Sequence, residues 1–309
     1  MNKLISRSFI TVSTLMAVLL VTIFLIAASP ARAAQSTVDL GAAAPFAILA
    51  GTPNITNTGP SVITGDVGLA PAAGAGIGLT CGQVIGTIYS VDATGPLPCR
   101  VTNGPLLVTA KNNLTAAYTD AAGRTPVTTI PTELGGSTLV AGVYDSASTT
   151  FGLTGTLTLD GQNDPSSVFI FQVPASGVGL TVGAASTVVL TNGAQACNVF
   201  WRVDSASINT TANFTGTILA LTSISVANGA TIQGRLLAQN GSVTLINDTI
   251  TAPICAGNDS TDNTEDNVIP GFPNTGDSRA DNILWIALPS FIIIIGVIVA
   301  LVARKKHLI

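Results

Sequence analysis

Residues 214–251 read FTGTILALTSISVANGATIQGRLLAQNGSVTLINDTIT, and the second half nearly restates the first. Setting FTGTILALT over IQGRLLAQN places Gly216 on Gly234, Leu219 on Leu237 and Ala220 on Ala238, an offset of eighteen. The following phrases, SISVANG from Ser223 and SVTLIND from Ser242, match at an offset of nineteen. The whole stretch carries two charges, Arg235 and Asp248. Short alternating runs of Val, Ile and Thr between Gly/Asn turns, repeated at such a period, predict a β-solenoid. One coil cannot bury its own apolar face, whereas stacked coils share a continuous core. An antiparallel sandwich would also use short strands and turns. The near-repeat decides for the solenoid.

The pattern extends outward from there. SVFIFQV from Ser167 and NVFWRVD from Asn198 share an apolar layout, and GDV at Gly65 returns as GTI at Gly86. One segment departs from it. NGPLLVTAKNNLTAAYTDAAGR places Leu107, Ala110, Leu114, Ala117 or Tyr118, and Ala121 at helical spacing. Asn103 is the expected N-cap, Pro105 suits the first turn and Gly123 the end. Its apolar stripe is expected to lie along the solenoid's flank.

Both ends read as targeting and anchoring segments. Residues 1–33 combine Lys3 and Arg7, a long apolar run and small residues at Ala31 and Ala33, the pattern of a secretory signal peptide. Residues 34–254 form the body. Residues 255–271 are acidic and polar without apolar periodicity, a flexible spacer. Residues 283–303 carry no charge and are long enough for a C-terminal transmembrane helix. The basic tail, residues 304–309, is then cytoplasmic. Between spacer and span stands Phe272-Pro273-Asn274-Thr275-Gly276. It resembles the LPxTG sorting motif of sortase substrates, with Phe272 for the usual leucine. That resemblance implies cleavage between Thr275 and Gly276 and attachment to the cell wall. The expected location is therefore the cell surface, with the exported body anchored to the cell wall or the membrane by the C-terminus.

Composition excludes several activities. Between residues 34 and 276 five basic residues face fourteen acidic ones, a net charge of about −9 by residue counting. That balance speaks against nucleic acid as a partner, because phosphate capture needs clustered Lys and Arg. The only histidine is His307 in the basic tail, which removes Ser-His-Asp and Cys-His catalysis from the body. No metal site and no cofactor is expected, since Cys81, Cys99, Cys197 and Cys255 lack CxxC spacing. Those four, all in the exported part, allow three pairings, of which Cys81–Cys99 and Cys197–Cys255 are preferred. Asp145, Asp160, Asp164 and Asp204 are the acids available for glycoside chemistry, but nothing pairs them beyond proximity in sequence. DGQNDP at Asp160 reads as a turn. The chain is read as a non-enzyme.

Several long phrases occur in the order found in one known family. GDVGLAP near Gly65, the helix ending AYTDAAGR, ELGGSTLVAGVY at Glu133, TGTLTLDGQNDPSSVFIFQV, NGAQACNVFWRV and the opening stretch together resemble the microbial ice-binding domain across roughly residues 38–253. The resemblance implies a right-handed, discontinuous β-solenoid with one helix alongside. It also implies that the first and last coils are adjacent and that the segment between them forms a cap. The activity it implies is adsorption to ice by a flat face of short Thr, Ser and Ala side chains. Alternation puts Thr154, Thr156 and Thr158 on one side of their strand, opposite Leu157 and Leu159. It likewise stacks Ser223 and Ser225 over Ser242 and Thr244, with Ile224 and Val243 inward. Threonine also suits strands for its branched shape alone. No sustained Thr-x-Thr ladder runs through the chain, and Gln233 and Arg235 fall where Thr215 and Thr217 sit. Two functional expectations follow: a surface-anchored ice-binding protein with antifreeze activity, or an adhesin using the same scaffold on a glycan, a cell or a solid surface.

Overall fold

The structure, a computed structural model, describes residues 35–173 and 179–255. The signal peptide, most of the spacer, the sorting motif, residues 283–303 and the basic tail lie outside the described residues. No helix among the described residues is long and apolar enough to cross a membrane.

The chain winds through three parallel ladders in turn. Ile224–Val226 lies in a six-stranded ladder. The first half of Thr231–Ala238 then pairs with Thr249–Thr251 on a second face, and its second half pairs with Phe46–Ala50 on a third. Every strand pair is parallel among the described residues, as stacking of successive coils requires. The register Asn213↔Thr231 through Ala220↔Ala238 reproduces the eighteen-residue offset, and Ile224↔Val243 the nineteen. SVFIFQV and NVFWRVD pair one residue out of step with their spelling, since Phe169 rather than Val168 faces Val199. A slip of one would exchange core and outer faces. The observed register sends Phe171 and Trp201 inward, stacked at 4.0 Å between ring centroids.

The winding is discontinuous. Phe46–Ala50, near the start, pairs with Thr231–Ala238, near the end, and residues 66–102 stack beyond it as the cap. The Cys81–Cys99 disulfide stitches that cap. Cys197–Cys255 ties the last described residue, read from sequence as the start of the spacer, back to the body.

Helix α1, Gly104–Gly123, covers one face of the solenoid. Asn103 caps it by accepting from the Leu106 amide. The stripe Leu107, Ala110, Leu114, Ala117, Tyr118 and Ala121 is buried. It packs on Leu49, Leu219 and Leu237, while Ile48, Ile218 and Leu236 enter the solenoid core. These strands are therefore apolar on both sides, and TILAL and RLLA do not alternate. Lys111 fastens α1 to the last of these strands, its Nζ donating to the Ala238 and Gln239 carbonyls.

Strands Asn213–Ala220 and Thr231–Ala238 bend between two faces at Gly216 and Gly234. Gly216 has φ +116°, and a Cβ on Gly234 would lie 1.9 Å from the Gly216 carbonyl oxygen. Beyond that corner the chain runs under the helix face, so Thr217 and Arg235 leave the exposed surface. Arg235 is buried, with Nε donating to the Ala44 carbonyl at 2.7 Å and Nη2 to that of Pro253 at 2.8 Å. The expected interruption of an exposed face by Arg235 is thus absent. The residue instead joins the segment before the first coil to the segment after the last.

Two predictions concern stability. Gly234→Ala should lower the unfolding free energy by about 1–3 kcal/mol or more through overpacking, whereas Gly82→Ala, with no atom within 4 Å of its added Cβ, should not. Denaturant titration of both variants checks this. Burial pulls the Lys111 pKa down from 10.5 to about 8. From about pH 8 upward the unfolded chain then binds more protons than the folded one, so stability should rise with pH. Urea titrations from about pH 8 to 9, below the tyrosine range, should show the rise in the parent and its loss in Lys111→Met.

Candidate functional site

The six-stranded ladder is built from three- and four-residue strands: Phe151–Leu153, Leu180–Val182, Ala206–Ile208, Ile224–Val226, Val243–Ile246 and Ile55–Thr58. In five of them a small residue stands between two apolar ones, and in Ile55–Thr58 Thr56 stands between Ile55 and Asn57. Phe151, Leu180, Ala206, Ile224, Val243 and Ile55 turn inward and are buried. Their neighbours form one outward row in continuous register: Gly152, Thr181, Ser207, Ser225, Thr244 and Thr56. Neighbouring strands lie about 4.7–4.9 Å apart, which sets the spacing along the row.

No Asp, Glu, Lys or Arg occurs in these strands or beside them, from two residues before to two after each row position. The row's flank includes Ser223 and Ser242, where the Ser223 hydroxyl accepts from the Ser242 amide at 3.1 Å. Thr56 donates to Thr244 along the row at 3.1 Å. Beyond Gly152 the ladder ends at Glu133, which forms an isolated bridge to it. Partial burial would raise that carboxyl's pKa, but the Gly135 and Thr154 amides donate to it and hold it below the usual range.

The Thr and Ser residues singled out in the sequence divide between two faces. Ser225 and Thr244 lie on the six-strand row, with Ser223 and Ser242 at its margin. Thr156 and Thr158 point outward from a different strand, Thr156–Asp160, on the second exposed face. Thr154 sits at the corner between the faces, hydrogen-bonded to Glu133. Sequence reasoning missed Thr56, Thr181, Ser207 and Gly152. Their signal is the recurring triplet of apolar, small and apolar residues (FGL, LTV, ASI, ISV, VTL, and IT followed by Asn), one per coil.

On the second face a row runs Thr156, Thr187, Asn213, Thr231, Thr249 and Val62. The row behind it is uneven. Thr215 is 6% exposed, while Gln233, its partner in register, is exposed. Pairing across the middle of this face narrows to the single pair Thr187↔Asn213.

The corner between the two exposed faces is held from within by Asp248, which is 1% exposed. Burial raises its pKa against the Ile246 and Ala230 amides that donate to it. Its own amide donates to Ser61.

Two of the acids considered for catalysis, Asp160 and Asp164, serve a turn. Asp160 accepts from the Gln162 amide and Asp164 from the Ser166 amide and hydroxyl, closing the DGQNDP turn. These bonds lower both carboxyl pKa values. No group of three His, Cys, Asp or Glu placed to hold a metal occurs among the described residues.

A parallel solenoid with a flanking helix and an uncharged ladder of small side chains defines the class, and the chain belongs to the ice-binding-like family, which matches residues 48–251. It is 43% identical over 220 residues to an ice-binding protein of Colwellia sp, covering 70% of this chain and 84% of that one. It is 41% identical over 220 residues to an ice-binding protein of Flavobacterium frigoris (strain PS1), covering 70% and 76%. The crystal structure of an ice binding protein from an Antarctic biological consortium superposes with a TM-score of 0.62 at 38% identity, covering 72% of this chain and 94% of that one.

Asp248→Ala should leave the buried Ala230 amide without that acceptor and cost about 1–3 kcal/mol, whereas the Ile246 amide, on an exposed residue, can turn to water. Urea unfolding of the variant measures the loss, and unchanged stability would show that the corner holds without the carboxylate.

Proposed function

We propose that this protein is an ice-binding protein of the cell surface that adsorbs to ice through the six-strand face. The observation that carries the reading is the row Gly152, Thr181, Ser207, Ser225, Thr244 and Thr56, unbroken in register and without charge on its strands, Glu133 standing only beyond its Gly152 end. Backbone ladders fix its spacing, so its hydroxyls and methyls order adjacent water at a regular interval. A charged group would hold its own hydration shell against that order. The face is also preorganised, so little conformational freedom is lost on adsorption. The names of the relatives support ice as the partner.

Anchoring belongs to the same proposal. The secretory pattern in residues 1–33, the FPNTG motif at 272–276, the apolar residues 283–303 and the basic tail support export followed by retention at the membrane or, after sortase processing, at the wall. That arrangement also favours the competing reading, an adhesin whose same face meets a glycan or another cell, because a diffusible antifreeze needs no anchor.

Inhibition of ice recrystallisation distinguishes the two. Ser225→Tyr, at the centre of the row, should sharply reduce inhibition, while Thr115→Tyr on the exposed side of α1 should leave it intact. Equal activity in both variants would remove the six-strand face from the account. Absence of activity in the parent would favour the adhesin.

A further inference from the structure

We infer that the ice-adsorbing surface turns a corner and includes the first row of the second exposed face. This rests on the ice reading above and extends it to a second crystal plane. The same six coils that supply the six-strand row supply the row Thr156, Thr187, Asn213, Thr231, Thr249 and Val62. Each coil thus gives one residue to each row, as Ser225 and Thr231 do in one coil and Thr244 and Thr249 in the next. Both rows are ladders of the same backbone and share its spacing of about 4.7–4.9 Å.

The corner between them is built from small and turn residues. Gly155, Ala185, Thr211, Gly229, Asn247 and Gly59 all adopt positive φ, so the turns of the six coils stack in the same conformation. Their outward side chains are short and uncharged. The one charged residue in these turns is Asp248, whose carboxylate is directed inward to the Ala230 and Ile246 amides. Thr156, Asn213, Thr231, Thr249 and Val62 are exposed. Charge at the corner is confined to its Gly152 end, where Glu133 bonds Thr154; along the other coils no charged side chain separates one row from the other, and the uneven row containing Thr215 and Gln233 lies on the far side.

Two rows on faces that meet at a corner cannot lie on one flat plane. The six-strand face then occupies one ice plane and the Thr231 row a second, giving a single molecule two orientations of adsorption. Methyl groups dominate the second row's chemistry together with threonine hydroxyls, so Thr231→Val should be tolerated where Thr231→Tyr is not.

Fluorescently labelled full chain frozen into a single-crystal ice hemisphere tests this. The parent should label two sets of planes. Thr231→Tyr and, one coil away, Thr249→Tyr should each lose one set and keep the other, while Thr231→Val keeps both and Ser225→Tyr loses the set that the threonine variants retain. Thermal unfolding of each variant verifies that it is folded, and two independent positions guard against a local defect. Parent-like labelling by both tyrosine variants of the second row, or a single set of planes in the parent, overturns the inference and leaves the six-strand row as the whole surface. No labelled plane with the parent would remove the ice reading itself, and the inference with it.

Discussion

The constraint on which everything else depends is the register of one coil on the next. A parallel ladder gives each residue a partner directly above and below, so a side chain's position in a row is set by its coil's backbone. Where the chain must pass from one face to another without disturbing the next coil, there is room for a backbone and nothing more. Gly216 and Gly234 mark such a place, with the added Cβ of one nearly on the carbonyl oxygen of the other. The same ladder that makes the core continuous makes the outer rows regular. Stability and surface periodicity are two results of one arrangement.

Charge is kept off the exposed rows by being used at the seams. Arg235 spans from the segment before the first coil to the segment after the last. Lys111 holds the helix to the end of a coil. Asp248 closes a corner from the inside. Each meets backbone groups rather than an opposite charge, which is the pairing available where three chain segments converge and few ionisable side chains exist. A buried group so placed costs desolvation, offset by hydrogen bonds that only the assembled fold supplies.

Much of the fold was legible because coil-to-coil stacking writes itself into sequence where loops are short. Residues 214–251 keep offsets of eighteen and nineteen, and the structure uses those offsets. The helix was legible through its stripe and through Asn103. The surface row was not, because it is perpendicular to the chain. From Gly152 to Thr181 to Ser207 to Ser225 the steps are 29, 26 and 18 residues, varying with the loops between, and the last step returns from Thr244 to Thr56. Alternation within TGTLTLD marks Thr156 as outward without saying on which face, so Thr156 and Ser225 read alike in sequence although they lie on different faces. Arg235 misled for a related reason: alignment puts it beside Thr217, and only the bend at Gly234 turns both away from solvent.

We propose above all that a ladder assembled from six coils recognises an ordered water surface. Partition of the full chain during slow growth of ice from a dilute solution tests it most directly. Adsorption predicts that the protein is taken up into the advancing ice, enriched over an inert protein of similar size. Exclusion into the remaining liquid, equal to that of the inert protein, would contradict it.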